Sequence, residues 1–409
     1  MFCTMFLLLG AAAGEPFVAE EGFVIESKSE NWQGEKLEDL YEELLNNGHG
    51  EEIKTLGRIV LYPEPMDNRA EQGRYRFTIK KVDLFGNTHV FLQADSVIEL
   101  YNMKEHDRIE DIARILSHEY GHHFTLHYLA KEDPLFFDDW RESQVYRARG
   151  LDSFEQVGAQ GEVEHQWDVA EIVAEDYVQL YGSETAKRIY EAKDLGERIV
   201  EDAEDLGYGN ANYNISPQEN RQIPLVQAYP ATKSFWEDIS GVESRAVHYA
   251  SIQITVSEVR HLGHGYKQFV FSWNKSTSPE GFEIESYTLV GMDKDFENVI
   301  PIKTTTKEED QTAIVGSLVE SDGRVERYYS DRIIERGFDH FKVIGIGENG
   351  EAVESNVIRL DSQEETFTDL QIFGGISEGI YSISKKDKES GVFYRLTEWL
   401  IEQYMRIMK

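Results

Sequence analysis

Two histidines four residues apart, His118 and His122, enclose a glutamate at Glu119. On a helix, residues i and i+4 share one face, so the two imidazoles can grip one metal ion. Glu119 then projects beside the metal, where its carboxylate can take a proton from water. The chemistry of such a set is metal-assisted hydrolysis. The segment holding these residues reads as a helix from Asp107 or Arg108 to Phe124, because Ile109, Ile112, Ala113, Ile115 and Leu116 recur at helical spacing. Gly121 inside it costs about 1 kcal/mol relative to Ala. A small residue there would let a second element approach closely. His123 and His127 are rotated off the metal face and are expected to pack or to face solvent.

A third ligand must come from elsewhere. The stretch Trp167 to Gly182 reads as a second helix, with Asp168 as its N-cap and Gly182 as its stop. Ile172, Val173, Leu180 and Tyr181 supply an apolar side. Glu171 and Glu175 are four apart and share a face. One of these carboxylates would complete a His2Glu site with an open fourth position, and the other could orient a ligand imidazole. The competing reading is a solvated acidic helix.

H-E-x-x-H followed by a helix with E-x-x-x-[DE] resembles the gluzincin zinc metallopeptidases, and Glu171-Ile-Val-Ala-Glu175-Asp-Tyr resembles the glutamate helix of peptidases of the anthrax lethal factor type. The resemblance covers roughly residues 85 to 182. It implies a Zn2+ cofactor, Glu171 as third ligand and Glu175 as a support for the site. The interval between the two helices is longer than in thermolysin-like enzymes. A branch of the same fold that uses a third His is excluded, since the required offsets hold Thr125 and Tyr128. The resemblance also places a helper donor for the developing oxyanion slightly upstream of the third ligand. It is a Tyr in that family; here His165 stands in that region, with Tyr208 and Tyr213 as the next candidates. Tyr177, rotated away from Glu171, is expected in the core.

The elements that must position these helices are strands. Arg58–Tyr62, Arg74–Ile79, Thr88–Ala94 and Val97–Tyr101 each read as strand. A small sheet followed by two ligand-bearing helices fits an α+β zincin-like domain, with 88–94 as the edge strand able to bind an extended peptide. This domain is expected over 15–241. Residues 183–206 continue as helix, 207–221 form a turn-rich loop or site rim, and 232–239 form a closing helix anchored by Phe235 and Trp236.

From Ala246 the pattern changes to short alternating strands separated by turns, which argues for a β-sandwich over 246–362. Trp273, the Tyr287 strand and the Asn349–Leu360 ending resemble fibronectin type III modules, with Phe341 where that family places a corner Tyr. The resemblance implies binding or spacing. A C-terminal extension, 366–409, carries a Gly-rich turn at Phe373 and an amphipathic helix from Phe393 to Ile407.

The fold class expected is therefore an α+β zincin-like catalytic domain followed by an all-β fibronectin type III-like sandwich. Residues 1–14 form an apolar run ending in small residues, as in a signal peptide, too short to span a bilayer. The rival is an uncleaved anchor. Cys3 is the single cysteine, so the mature chain would have no disulfide, which fits Gram-positive secretion or a cell-surface location. The net charge of −35, from 41 basic and 76 acidic residues, excludes a nucleic-acid partner and favours a soluble monomer; a protein or peptide substrate is what the metallopeptidase resemblance implies. No calcium loop pattern is present, and Asp293-Lys-Asp295 and Ser321-Asp-Gly323 read as ordinary turns. The function expected is a secreted zinc endopeptidase with Glu119 as general base. The alternative is a non-catalytic surface protein on the same scaffold, against which the intact Glu119 speaks.

Overall fold

The computed structural model describes residues 14–66, 72–84, 87–93, 95–159, 161–188, 217–263, 266–319, 324–329, 332–334, 338–361, 366–372 and 376–382. The signal-like run before Gly14, Cys3, the expected helix beyond Arg188, Tyr208, Tyr213, the 321–323 turn and the amphipathic helix 393–407 lie outside them. In chain order the first part contains β1 (Phe17–Val18), β2 (Val24–Ser27), α1 (Glu35–Asn46), β3 (Leu56–Leu61), β4 (Gly73–Arg76), β5 (Ile79–Leu84), β6 (Asn87–Leu92) and β7 (Ser96–Leu100). Then come α2 (Ala113–Glu132), α3 (Gln144–Ala148), α4 (Val169–Tyr181), α5 (Glu184–Lys187) and α6 (Pro230–Ser240).

β1, β2, β3, β7 and β4 form one sheet in that order. β2, β3 and β7 run parallel, and β4 closes the edge antiparallel to β7. Every residue of β7 is buried, as expected for a strand covered on both faces. The expected strand 74–79 is two strands, β4 and β5. The expected edge strand 88–94 is not the edge of this sheet: its core is β6, which pairs only with β5 in a two-stranded hairpin among the described residues. A strand signal does not name its partner; the edges of this sheet are β1 and β4, and β4 is the one that packs on α2.

α2 begins at Ala113, six residues later than the earliest expected start. Residues Ile109–Asp111 form a 3-10 turn, and Ile112 sits outside the helical basin (φ −126, ψ −10). The helix is buried around most of its circumference, because α4, β6, β4, α5, β7 and α1 all pack on it. Gly121 lies at a close approach to α4. A Cβ there would lie 2.9 Å from the Ala174 carbonyl oxygen and 3.0 Å from Tyr177 Cδ1. Asp168 caps α4 by accepting from Ala170 N at 2.9 Å. Gly182 ends it and passes the Ser117 hydroxyl, which a Cβ would approach to 3.2 Å. Phe124 of α2, Tyr177 and Tyr181 of α4 and Trp236 of α6 form an aromatic cluster at the crossing. Tyr177 also donates to the Gly48 carbonyl at 2.7 Å, a core role as expected.

The second part is antiparallel and β-rich. Its strands are β8 (Ile254–Gly263), β9 (Tyr266–Trp273), β10 (Ile284–Met292), β11 (Val299–Thr306), β12 (Thr312–Val319), β13 (Val325–Tyr329) and β14 (Arg332–Ile334), then β15 (His340–Gly347), β16 (Ala352–Glu354), β17 (Val357–Asp361), β18 (Thr366–Ile372) and β19 (Ile376–Ser382). One sheet runs β14-β13-β12-β9-β8, the other β11-β10-β15-β17-β18-β19, with β16 on β15. Phe269, Phe271, Trp273, Tyr287, Leu289, Phe341 and Val343 fill the core between them. Tyr287 Oη accepts from Ser276 N at 2.8 Å, and Trp273 Nε1 donates to Gln311 Oε1 at 2.9 Å. β18 and β19 continue the second sheet past residue 362. The Asp293 turn is held by its own side chain, which accepts from Glu297 N at 2.9 Å and Asn298 Nδ2 at 2.6 Å. No helix among the described residues is long and apolar enough to cross a membrane.

Gly121→Val should lower the stability of the full chain by about 1–3 kcal/mol, the usual cost of overpacking a tight core. Urea unfolding measures it; an unchanged midpoint would show that the two helices have room to separate.

Candidate metal centre

α2 presents His118 and His122 on the side that meets α4, and the capped first turn of α4 delivers Glu171 to them. Glu171 Oε2 lies 3.0 Å from His118 Nε2 and 3.1 Å from His122 Nε2. A tetrahedral ion with bonds of about 2.0–2.1 Å sets its ligand atoms roughly 3.3 Å apart, close to this spacing. The three residues are the one group among the described His, Cys, Asp and Glu whose ligand atoms converge in this way, within 4.8 Å of one another. Two imidazole nitrogens and one carboxylate oxygen suit zinc and leave a fourth position for water or substrate.

The supports are residues of the same two helices. Glu175, one turn after Glu171, places Oε1 3.3 Å from His118 Nδ1, close but not a well-aligned hydrogen bond. Arg114, one turn before His118, donates to Glu175 Oε2 at 2.5 Å and to the Pro217 carbonyl at 3.0 Å. Burial opposes charge on Glu175, but Arg114 and then His118 outweigh it and hold its carboxyl below the usual range. Burial likewise opposes charge on Glu171, and His122 and His118 outweigh it, lowering its pKa strongly. His118 loses from desolvation, yet Glu171 and Glu175 raise its pKa well above the ordinary imidazole value. The metal-free cluster therefore keeps ionised carboxylates at the point where a cation would bind.

Glu119 is buried. It lies against the edge strand: a Cβ on Gly73 of β4 would sit 2.5 Å from Glu119 Oε1. A larger residue there would have to displace the Glu119 carboxylate and Ile115 Cγ2, 2.7 Å from such a Cβ. Two residues on, on the same face of β4, the Tyr75 ring lies parallel to His122 at 6.3 Å. Its hydroxyl donates to His123 Nδ1 at 2.9 Å, and His123 Nε2 donates to the Glu52 carbonyl at 2.8 Å. His123 is thus a packing residue, and burial lowers its pKa to about 4. His127 faces Thr55 Oγ1 at 3.4 Å, away from the cluster.

His165 lies in a 3-10 turn, His165–Trp167, immediately before α4. Its side chain is 64% exposed, with Nε2 3.5 Å from Glu171 Oε2. Nδ1 is 2.7 Å from Glu219 Oε2, and this hydrogen bond, opposed by desolvation and aided by Glu171, raises the His165 pKa to about 9. All six expected site residues, His118, Glu119, His122, His165, Glu171 and Glu175, are therefore gathered at one place. Sequence reasoning missed Arg114, Tyr75, Gly73 and Glu219. Arg114 was visible as a cation four residues before His118 on the same helical face. The 207–221 stretch was read as a loop or site rim, but nothing in the sequence singled out Glu219 within it or tied β4 to the site.

No protein-family model matches this sequence, and no curated protein matches it.

Replacing His118 or His122 by Ala should abolish stoichiometric zinc binding, and Glu171→Ala should weaken it severely. Glu175→Ala should weaken it about 10–100-fold, the usual effect of losing a group that orients a ligand. Metal analysis and chelator competition read these changes. A Glu175→Ala protein that loses the metal while Glu171→Ala retains it would invert the assignment.

Proposed function

We propose that this chain is a zinc-dependent endopeptidase with the gluzincin ligand set: His118, His122 and Glu171 as ligands and Glu175 as the group orienting His118. The observation that carries this reading is the convergence of His118, His122 and Glu171 from two crossing helices, with Glu119 buried one residue from the first ligand and against an edge strand. Bound there, zinc would polarise a peptide carbonyl and acidify a water molecule.

The residues of the chain divide the remaining work. Glu119 takes the proton of the attacking water on its carboxylate and returns it to the leaving amine nitrogen. β4 is the edge of the five-stranded sheet that borders α2, so its free backbone groups can hold an extended substrate by strand addition. Gly73 and Tyr75 face α2 from this strand, which would bring a peptide bond paired to β4 alongside Glu119. His165, beside Glu171, donates to the oxyanion as the carbonyl becomes tetrahedral. A non-catalytic scaffold has no chemical need for a carboxylate beside the two imidazoles, which favours an enzyme.

The second part fits a fibronectin type III-like module. The order β8-β9-β12 against β11-β10-β15-β17, with Trp273 and Tyr287 in the core, supports that reading. The apolar run at 1–14 and the single cysteine support action outside the cell.

The purified chain should digest an unstructured protein such as casein, lose that activity to a chelator and regain it with zinc. Glu119→Gln should keep its zinc and its fold but lose most hydrolysis; a zinc-loaded variant with full activity would remove Glu119 from the chemistry. His165→Ala should lower turnover about 10²–10³-fold, as for loss of one oxyanion donor, with zinc content and KM little changed. Unaltered turnover would place His165 outside the mechanism.

A further inference from the structure

β15 is buried at every position, His340 to Gly347. A sandwich strand with one face in water alternates buried and exposed residues. Here Phe341 and Val343 point into the sandwich, while Ile344 and Ile346 belong to a second apolar cluster with Val290, Met292, Ala352 and Val357. The remaining fully buried member is Leu225, which comes from the first part of the chain. The outer face of the sandwich sheet is therefore an interface, and the segment carrying Leu225 covers it.

That segment has two working faces. Toward the metal centre, the Pro217 carbonyl accepts from Arg114 at 3.0 Å, and Glu219 Oε2 lies 2.7 Å from His165 Nδ1. Asn220 Nδ2 donates to the Gln166 carbonyl at 2.9 Å. Toward the sandwich, Arg221 Nη1 donates to the Glu297 carbonyl at 2.6 Å and Gln222 Nε2 to the Asp295 carbonyl at 2.9 Å. Both acceptors belong to the turn that Asp293 holds rigid. A further clamp lies nearby: Lys187 Nζ meets Glu351 Oε1 at 3.4 Å with both side chains buried, and Gly350 packs so closely that a Cβ would lie 2.9 Å from Arg188 Cγ.

We propose that the β-sandwich is a buttress for the metal centre, acting through the strap 217–225. Arg221, Gln222 and Leu225 are positioning residues: they touch neither metal nor substrate, but fix the segment that holds Arg114, His165 and the Gln166 turn. Arg114 in turn fixes Glu175, and Glu175 fixes His118. This assigns the module a task beyond binding or spacing. Only its zinc readout rests on the metal reading above.

The test uses the full chain and two variants, Arg221→Ala/Gln222→Ala and Leu225→Ala. The first measurement is amide hydrogen exchange over 164–172 in metal-free protein, which reads the coupling whether or not zinc binds. Exchange there should quicken in both variants by about 2–30-fold, the range seen when a coupled network is perturbed, and Leu225→Met should restore it. The second is the rate at which zinc passes to a chelator, which should rise by a similar factor. Faster exchange confined to 217–225 and 293–298, with 164–172 unchanged, would overturn the proposal. A parent chain that binds no zinc would count against the metal reading alone, since the exchange measurement still decides this one. Should Leu225→Ala fail to fold, the double variant decides, because both of its side chains bond to the sandwich only at the surface.

Discussion

The structure depends on one close crossing. α2 and α4 touch at Gly121, where the Ala174 carbonyl and the Tyr177 ring occupy the space of a side chain. That contact sets the distance between the two helices. It therefore sets whether Glu171 reaches the nitrogens of His118 and His122 at 3.0 and 3.1 Å. The aromatic cluster of Phe124, Tyr177, Tyr181 and Trp236 holds the crossing from one end, and the Asp168 cap fixes the rotation of Glu171 at the other. Packing comes first here, and the ligand geometry follows from it.

Charge at the crossing is balanced within the cluster. Glu171 and Glu175 are both held ionised against the cost of burial, with Arg114 compensating one and the imidazoles the other. Unpaired buried carboxylates would neutralise themselves by taking up protons. Arg114 also answers to the strap through Pro217, so the electrostatic support of His118 extends outside the two helices.

Much of this was legible in the sequence. The His118–His122 spacing, the Asp168 cap, the Glu171–Glu175 pair and the Gly182 stop are local signals, set by helix geometry, and each holds. Tyr177 was readable as a core residue, and His123 as off the ligand face, packed or exposed, because of their rotation on the helices. What was not legible is pairing at a distance. The strand signal of 88–94 is real, yet it serves the β5–β6 hairpin, while the strand beside Glu119 is the short β4, readable as a strand from Arg74 on but with nothing local to say that it borders α2. The helix start was placed too early because apolar spacing runs through Ile109 and Ile112, although the backbone breaks at Ile112. The alternating pattern of β15 gave no sign that both its faces are covered, since Ile344 and Ile346 look like surface positions until Leu225 is laid against them.

The central claim is that three residues from two helices hold one zinc ion. The most direct measurement is a crystal of the zinc-loaded full chain with data collected on both sides of the zinc absorption edge. The account predicts one anomalous peak about 2.0–2.2 Å from His118 Nε2, His122 Nε2 and a Glu171 carboxylate oxygen. A peak elsewhere, or ordered side chains at these three positions with no peak between them, would contradict it.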